Sequence, residues 1–294
     1  MVLLLSIFFP FFVFAQDIGL LINELPFQNQ VELEGLDAGK IKENTIHASH
    51  STARIEQSKY GVNFRYFELE NNVSEISRYS NISFGSSYQR YLPNDRSFTL
   101  SASYGSASNR PFRDGRDGIV NVNSLYRYNN HWLFLGNYSN NRAFLNNIPL
   151  PGVVYIHEQS RERVLVFGFP FVYFLRPIAQ SGVSVRYTGL LPYTHKLRLI
   201  YTSSNIRPYI GFEQTLHSFF DSTRKTDLER TFFYERKAGL GIERSFGPFL
   251  RIDFQTGLAF NRKYFNARSF TRHRTESKTV EDGYFVGLNL KSMF

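Results

Sequence analysis

Leu250-Arg251-Ile252-Asp253-Phe254-Gln255-Thr256-Gly257-Leu258-Ala259-Phe260-Asn261 carries its bulky apolar residues on one parity: Leu250, Ile252, Phe254, Leu258 and Phe260, with Thr256 among them. Arg251, Asp253, Gln255, Gly257, Ala259 and Asn261 fall on the other. A period of two is the mark of a strand with one greasy side. The pattern returns at Tyr60, Val62, Phe64 and Tyr66 against Gly61, Asn63 and Arg65, and at Phe98, Leu100, Ala102 and Tyr104 against Thr99, Ser101, Ser103 and Gly105. Val183, Val185 and Tyr187 against Ser184, Arg186 and Thr188 repeat it. Further strands are expected near 79–91, 118–128, 131–141, 195–203, 207–217, 232–246 and 282–293. Trp132 to Tyr138 fits less well, because Leu133 and Leu135 stand on its polar parity. No amphipathic helix of comparable quality competes.

The polar parity separates a soluble sandwich from a membrane barrel. A sandwich turns its apolar faces inward and a charged surface outward. Here the polar parity is mostly Gly, Ser, Thr and Asn with isolated Arg and Glu, while most charges collect in the long connections. That suits a closed sheet with acyl chains outside and a hydrated or side-chain-packed lumen. The 294 residues include Phe 30, Tyr 18 and Trp 1, only 20% charged residues, and a net charge of +9. So many aromatics argue against disorder, and the mean hydropathy of −0.29 is too low for a bundle of membrane helices. Short turns (Pro93-Asn94-Asp95, Asn129-Asn130, Gly247-Pro248) alternate with long polar connections (105–118, 218–230, 266–283), and aromatic residues flank the short ones. Rings at strand ends are what an interfacial girdle needs.

The chain ends Tyr284-Phe285-Val286-Gly287-Leu288-Asn289-Leu290-Lys291-Ser292-Met293-Phe294, with Tyr284, Val286, Leu288, Leu290 and Phe294 on one parity and Ser292 departing from it. This resembles the final strand of bacterial outer-membrane barrels, which the barrel assembly machinery reads. At the other end, Val2 to Ala15 is an uncharged apolar run interrupted by Pro10, with small residues Val13 and Ala15 ahead of Gln16. It is too short to span a bilayer and reads as a secretory signal, although no Lys or Arg precedes it. In the middle, Ile148-Pro149-Leu150-Pro151-Gly152-Val153, Gly168-Phe169-Pro170-Phe171 and Leu191-Pro192 resemble an uncharacterised family of outer-membrane barrel proteins from Gram-negative envelopes. That resemblance implies a fold and a location, the outer membrane of a Gram-negative bacterium, and no established activity.

The expected architecture is all-β: a transmembrane antiparallel up-and-down barrel of about twelve strands, within a range of about ten to fourteen, both termini periplasmic. Residues 1–15 form the signal, 16–43 a periplasmic lead-in and 44–294 the barrel, the segment 45–57 being open. Counting from both ends leaves one element too many between Phe144 and Gly189.

Chemistry-bearing constellations are sparse. Zero cysteines exclude disulfides, thiolate metal sites and cysteine nucleophiles. His47 and His50, three apart on a strand, point to opposite faces, and so do His217 and Ser218. The run Arg113-Asp114-Gly115-Arg116-Asp117-Gly118 lacks the carboxylate spacing of a calcium loop and reads as an exposed loop. No catalytic or metal residue, cofactor or nucleic-acid partner is therefore expected, and the chain reads as a non-enzyme. Arg65, Arg127, Arg186, Arg198, Glu213, Glu243, Arg251 and Asp253 share the small-polar parity of their strands. They form either a paired network that fills the lumen of a structural or interaction barrel, or the lining of a small pore for polar or anionic solutes. A lipid-acting envelope enzyme is the third class. The basic segment with Arg268, Arg272, His273, Arg274 and Lys278 suits phosphates of lipopolysaccharide. Outer-membrane lipid is the expected surrounding, and the oligomeric state is left open.

Overall fold

A computed structural model describes residues 29–71, 76–142, 145–159, 163–178, 181–190, 193–202, 206–224, 226–247, 249–270 and 275–293. The signal run 1–15, Phe144, Leu191-Pro192, Pro248, Arg272, His273, Arg274 and Phe294 lie outside the described residues.

The strands are β1 (Gln30–Ala38), β2 (Ile41–Ser51), β3 (Ser58–Asn71), β4 (Arg78–Leu92), β5 (Arg96–Ser108), β6 (Gly118–Arg127), β7 (Trp132–Ser139), β8 (Leu150–Gln159) and β9 (Val164–Phe169). They continue with β10 (Phe171–Pro177), β11 (Val183–Leu190), β12 (Thr194–Tyr201), β13 (Ile206–Phe219), β14 (Arg230–Phe246), β15 (Leu250–Ala267), β16 (Thr275–Val280) and β17 (Gly283–Met293). Each pairs antiparallel with its sequence neighbour up to β15. β17 then pairs with the lower part of β15 and with β1 (Gln30 opposite Met293), so the sheet closes. β16 continues the line of β17 along the upper part of β15, from Arg262–Val280 to Asn266–Thr275. The wall thus has 16 strands, with β16 outside the ring count.

The expected number of about twelve is corrected, and the missing strands have identifiable causes. β1 and the start of β2 come from residues 30–43, read from sequence as lead-in because their acidic and basic residues mask the alternation. In the middle, the parity conflict is resolved by adding a strand. Pro170 separates β9 from β10, and a seven-residue strand, Phe171–Pro177, is too short to show a clear period. Part of the connection expected over 266–283 is strand as well, since β15 runs to Ala267 and β16 spans Thr275–Val280.

Outward residues carry the apolar surface: Val62, Phe84, Leu100, Phe134, Phe167, Leu199, Ile210, Leu240, Phe254 and Leu258 are all exposed, and Tyr284 is 81% exposed. These groups are not buried between two stacked layers, so the sheet is a barrel wall facing lipid. At the lower rim, arginines lie on aromatic faces: Arg54 on Tyr91 at 4.3 Å, Arg96 on Tyr128 at 4.9 Å and Arg244 on Phe246 at 4.6 Å. Amphipathic pairs of this kind belong at a membrane interface. The Pro93-Asn94-Asp95 turn at that rim holds Asn94 and Asp95 at φ 61 and 56, left-handed values that Asn and Asp tolerate.

A 16-stranded ring is wide enough for an aqueous channel, yet the upper half of this one is pinched. Ile41, Phe67, Leu69, Tyr79, Ala107, Ile119, Phe219, Phe220, Phe233, Tyr264 and Val280 form one buried cluster drawn from opposite walls. The end of β5 meets the end of β13 through a bridge between Ser108 and Phe220, where Phe220 N donates to Ala107 O at 2.7 Å. Above it, Asn109 and Ser222 exchange hydrogen bonds of 3.0 and 2.9 Å, and Asp117 pairs with Arg224 at 2.5 Å. Asp117 is buried, so the run Arg113 to Gly118 is not a free loop. Arg230 donates to Asn140 O and Asn141 Oδ1, joining the β7–β8 connection to β14.

Candidate functional site

The polar parity of β11 to β15 converges on the interior. Glu243 and Asp253 sit directly across the β14–β15 ladder, an arrangement that repels unless cations intervene. They do. Glu243 lies 3.5 Å from Arg186, 3.8 Å from Arg198, 3.2 Å from Arg207 and 3.9 Å from Arg251, and Arg198 reaches Asp253 at 2.8 Å. Tyr209 donates its hydroxyl to Asp253 at 2.6 Å while its ring carries the Arg198 guanidinium at 4.0 Å. The ring lies flat across β14 because position 241 is Gly, where a Cβ would collide with it.

Among the residues singled out from sequence, Arg186, Arg198, Glu243, Arg251 and Asp253 therefore meet in one cluster. Glu213 stands apart, paired with Lys196 at 3.4 Å. Arg127 joins neither, and its guanidinium donates to Asn129 O and Asn130 Oδ1 of the lower turn. Arg65 lines a cavity described below. Tyr284, Val286 and Leu288 of the terminal strand face outward, with Leu290 half-buried.

A second interior group went unread. Lys237 lies 2.5 Å from Glu235 and 3.2 Å from Glu43, and Arg262 approaches Glu235 at 3.6 Å while donating to Ala38 O and Glu281 O. Glu235 and Arg262 are 0% and 1% exposed. Glu235 and Lys237 share the parity of Glu243, so the signal was there. Glu43 lay in the supposed lead-in, and Arg262 was hidden by a bulge at Asn261, φ 52, that shifts β15 by one residue. Lower in the lumen, Lys291 pairs with Glu32 at 3.6 Å, and Asn289 donates to Glu32 at 2.7 Å.

The other side of the lumen differs. Leu133, Val154, Ile156, Val164, Val166, Phe171 and Tyr173 of β7 to β10 form a buried interior cluster, with Leu135 packed against it. The expectation of a uniformly small and polar interior is corrected there: Leu133 and Leu135 do point inward. Between this wall and the pinch lies a cavity of about 300 Å³. Leu133, Val154 and Phe171 line it together with Asn123, Arg65 and Arg142, and among the described residues no carboxylate does. His217 reaches the same cavity, stacked on Phe67 at 4.5 Å, with Nε2 3.9 Å from Glu43.

No family model matches the chain, and no curated protein matches it well enough to count as a relative. Solved structures do match in architecture. A bacterial polysaccharide outer membrane secretin aligns at 11% identity and TM-score 0.41, over 92% of this chain and 100% of that one. LpxR from Salmonella typhimurium aligns at 8% and 0.34, over 90% and 100%. Outer-membrane expressed OmpT of Vibrio cholerae aligns at 8% and 0.35, over 91% and 96%. Likeness at this level concerns the fold alone. The expectation of a non-enzyme is withdrawn, since a barrel architecture does not set catalysis aside. The chain is a closed antiparallel β-barrel, similar in fold to these outer-membrane proteins.

Proposed function

We propose that the chain works as an occluded interaction barrel, its lumen packed with paired charges and its upper half closed by contact between opposite walls. The observation that carries this reading is the buried cluster shared by β2 to β6 and β13 to β16, sealed by the β5–β13 bridge. Buried ion pairs of the Glu243 and Lys237 kind add little net stability but cost about 3–5 kcal/mol when one partner is removed, which favours a single register of the closed wall. The lumen-facing charges act in this reading as a packing network.

A second reading, a small pore for polar or anionic solutes, draws on the cavity beside Arg65 and Arg142, whose lining among the described residues includes no carboxylate. Planar-bilayer recording separates the two. The occluded barrel gives no unitary currents, and steady unitary currents from the wild-type protein would replace it with the pore. We also infer that residues 1–15 are removed on export and that Tyr284, Val286, Leu288, Leu290 and Phe294 present the terminal strand to the barrel assembly machinery. N-terminal sequencing of the envelope protein should start at Gln16, and a start at Met1 would overturn the first inference.

A further inference from the structure

Outward residues of β14 begin apolar at the lower rim, with Phe246, Ile242 and Leu240 exposed, and turn polar at Arg236. From Arg244 to Arg236, at about 3.3 Å per residue and a tilt of about 40°, the rise is ~20 Å, close to the ~25 Å of an outer-membrane apolar band. Arg236 therefore stands where the outer-leaflet headgroups begin.

Its surroundings hold it in place without neutralising it. Nε donates to Tyr234 Oη at 2.7 Å and to Gln214 Oε1 at 3.1 Å. Tyr234 Oη in turn donates to Gln214 Oε1 at 2.8 Å, and Gln214 Nε2 donates to Tyr193 O at 3.2 Å. These bonds fix the plane of the guanidinium and use only Nε, which leaves both terminal nitrogens of Arg236 without a protein acceptor among the described residues. Lys263 lies directly across the ladder from Tyr234, on the same outward face, and has no ion pair among the described residues. Glu235, next to Arg236 in sequence, and Glu213, next to Gln214, both pair inside the lumen. On the far wall the outward Arg78 is paired with Glu68.

We propose that Arg236 and Lys263 form a lipid-facing phosphate site, occupied by a phosphorylated headgroup of the outer leaflet. An unpaired cation on the lipid face is costly at the bilayer midplane and nearly free at the interface, where an anionic headgroup answers it. A guanidinium held through Nε presents its two remaining amino groups side by side, the fork that matches two phosphate oxygens. His195, across the β12–β13 ladder from Gln214 and bonded to the Tyr187 hydroxyl at 2.8 Å, extends the polar row along the same height.

Native mass spectrometry of the full-length barrel, released from vesicles containing bisphosphorylated lipid A, tests the site. Wild type retains the phosphorylated lipid, and Arg236→Gln and Lys263→Gln each lower retention about five- to tenfold, as expected for ~1 kcal/mol per interfacial cation. Arg236→Lys retains an intermediate amount. Heat-modifiable gel migration confirms that each variant is a folded barrel. Equal retention by wild type and both Gln variants would overturn the site, as would equal retention of the fully dephosphorylated lipid. Displacement of the lipid by millimolar inorganic phosphate would also overturn it, in favour of a free-anion site.

Discussion

Tyr209 can reach Asp253 only because Gly241 leaves room for its ring on the neighbouring strand. Gly241→Val is expected to lift that ring, expose Arg198 on one side and cost about 2–3 kcal/mol of stability, as overpacking does. The drop would appear as a lower urea midpoint of the refolded barrel, and an unchanged midpoint would contradict the packing described. Glu243→Gln removes the anion from among Arg186, Arg198, Arg207 and Arg251 and should cost about 3–5 kcal/mol in the same assay. Lys263→Gln, on the outer face, should leave the midpoint within about 0.5 kcal/mol. At this scale the sequence was legible wherever a strand kept its parity. Arg186, Arg198, Glu243, Arg251 and Asp253 were found because each alternates with bulky outward residues. Arg262 was not, since one bulged residue at Asn261 exchanges inside for outside and no local propensity announces it.

Asp117 and Arg224 show how whole elements are tied. The salt bridge is buried on both sides and connects the β5–β6 connection to the β13–β14 connection across the mouth of the barrel. Asp117→Asn should loosen both connections, seen as a several-fold faster tryptic cut at Arg113, Arg116 or Arg224 with the strands themselves intact. Equal cutting rates would mean the bridge does not hold the mouth. The short 3-10 turn Gly115–Asp117 is clasped by Asp114, whose carboxyl is drawn down to about 2 by hydrogen bonds from the Arg116 side chain and backbone. A carboxylate depressed in the folded state contributes above its unfolded value and is lost as pH falls through the folded one. Tryptic protection of this segment, probed after brief exposure to pH 4, should therefore match that at pH 7. Strand number is the element-scale quantity that periodicity conveyed poorly. β9 and β10 are short and split by Pro170, and β1 carries Glu32, Glu34 and Asp37, so neither region offers a long clean alternation.

Across the whole molecule, alternation reports which face a residue belongs to and nothing about what the inward face meets. The closed sheet and its lipid-facing side follow from the pattern at Leu250 to Asn261 and its repeats. The contact between β5 and β13 does not, because Ala107, Phe219 and Phe220 look from sequence like any other strand-end residues. The same holds for the apolar lumen wall of β7 to β10, which inverts the expected polarity. Spin labels placed one at a time from Leu250 to Ala259 of β15, in vesicles, test the central claim most directly. Labels at Ile252, Phe254 and Leu258 should collide readily with oxygen and scarcely with a water-soluble nickel chelate, while Asp253, Gln255 and Gly257 should be shielded from oxygen. Reversed alternation, or labels on both parities shielded from oxygen alike, would contradict a wall that turns its greasy side to the membrane.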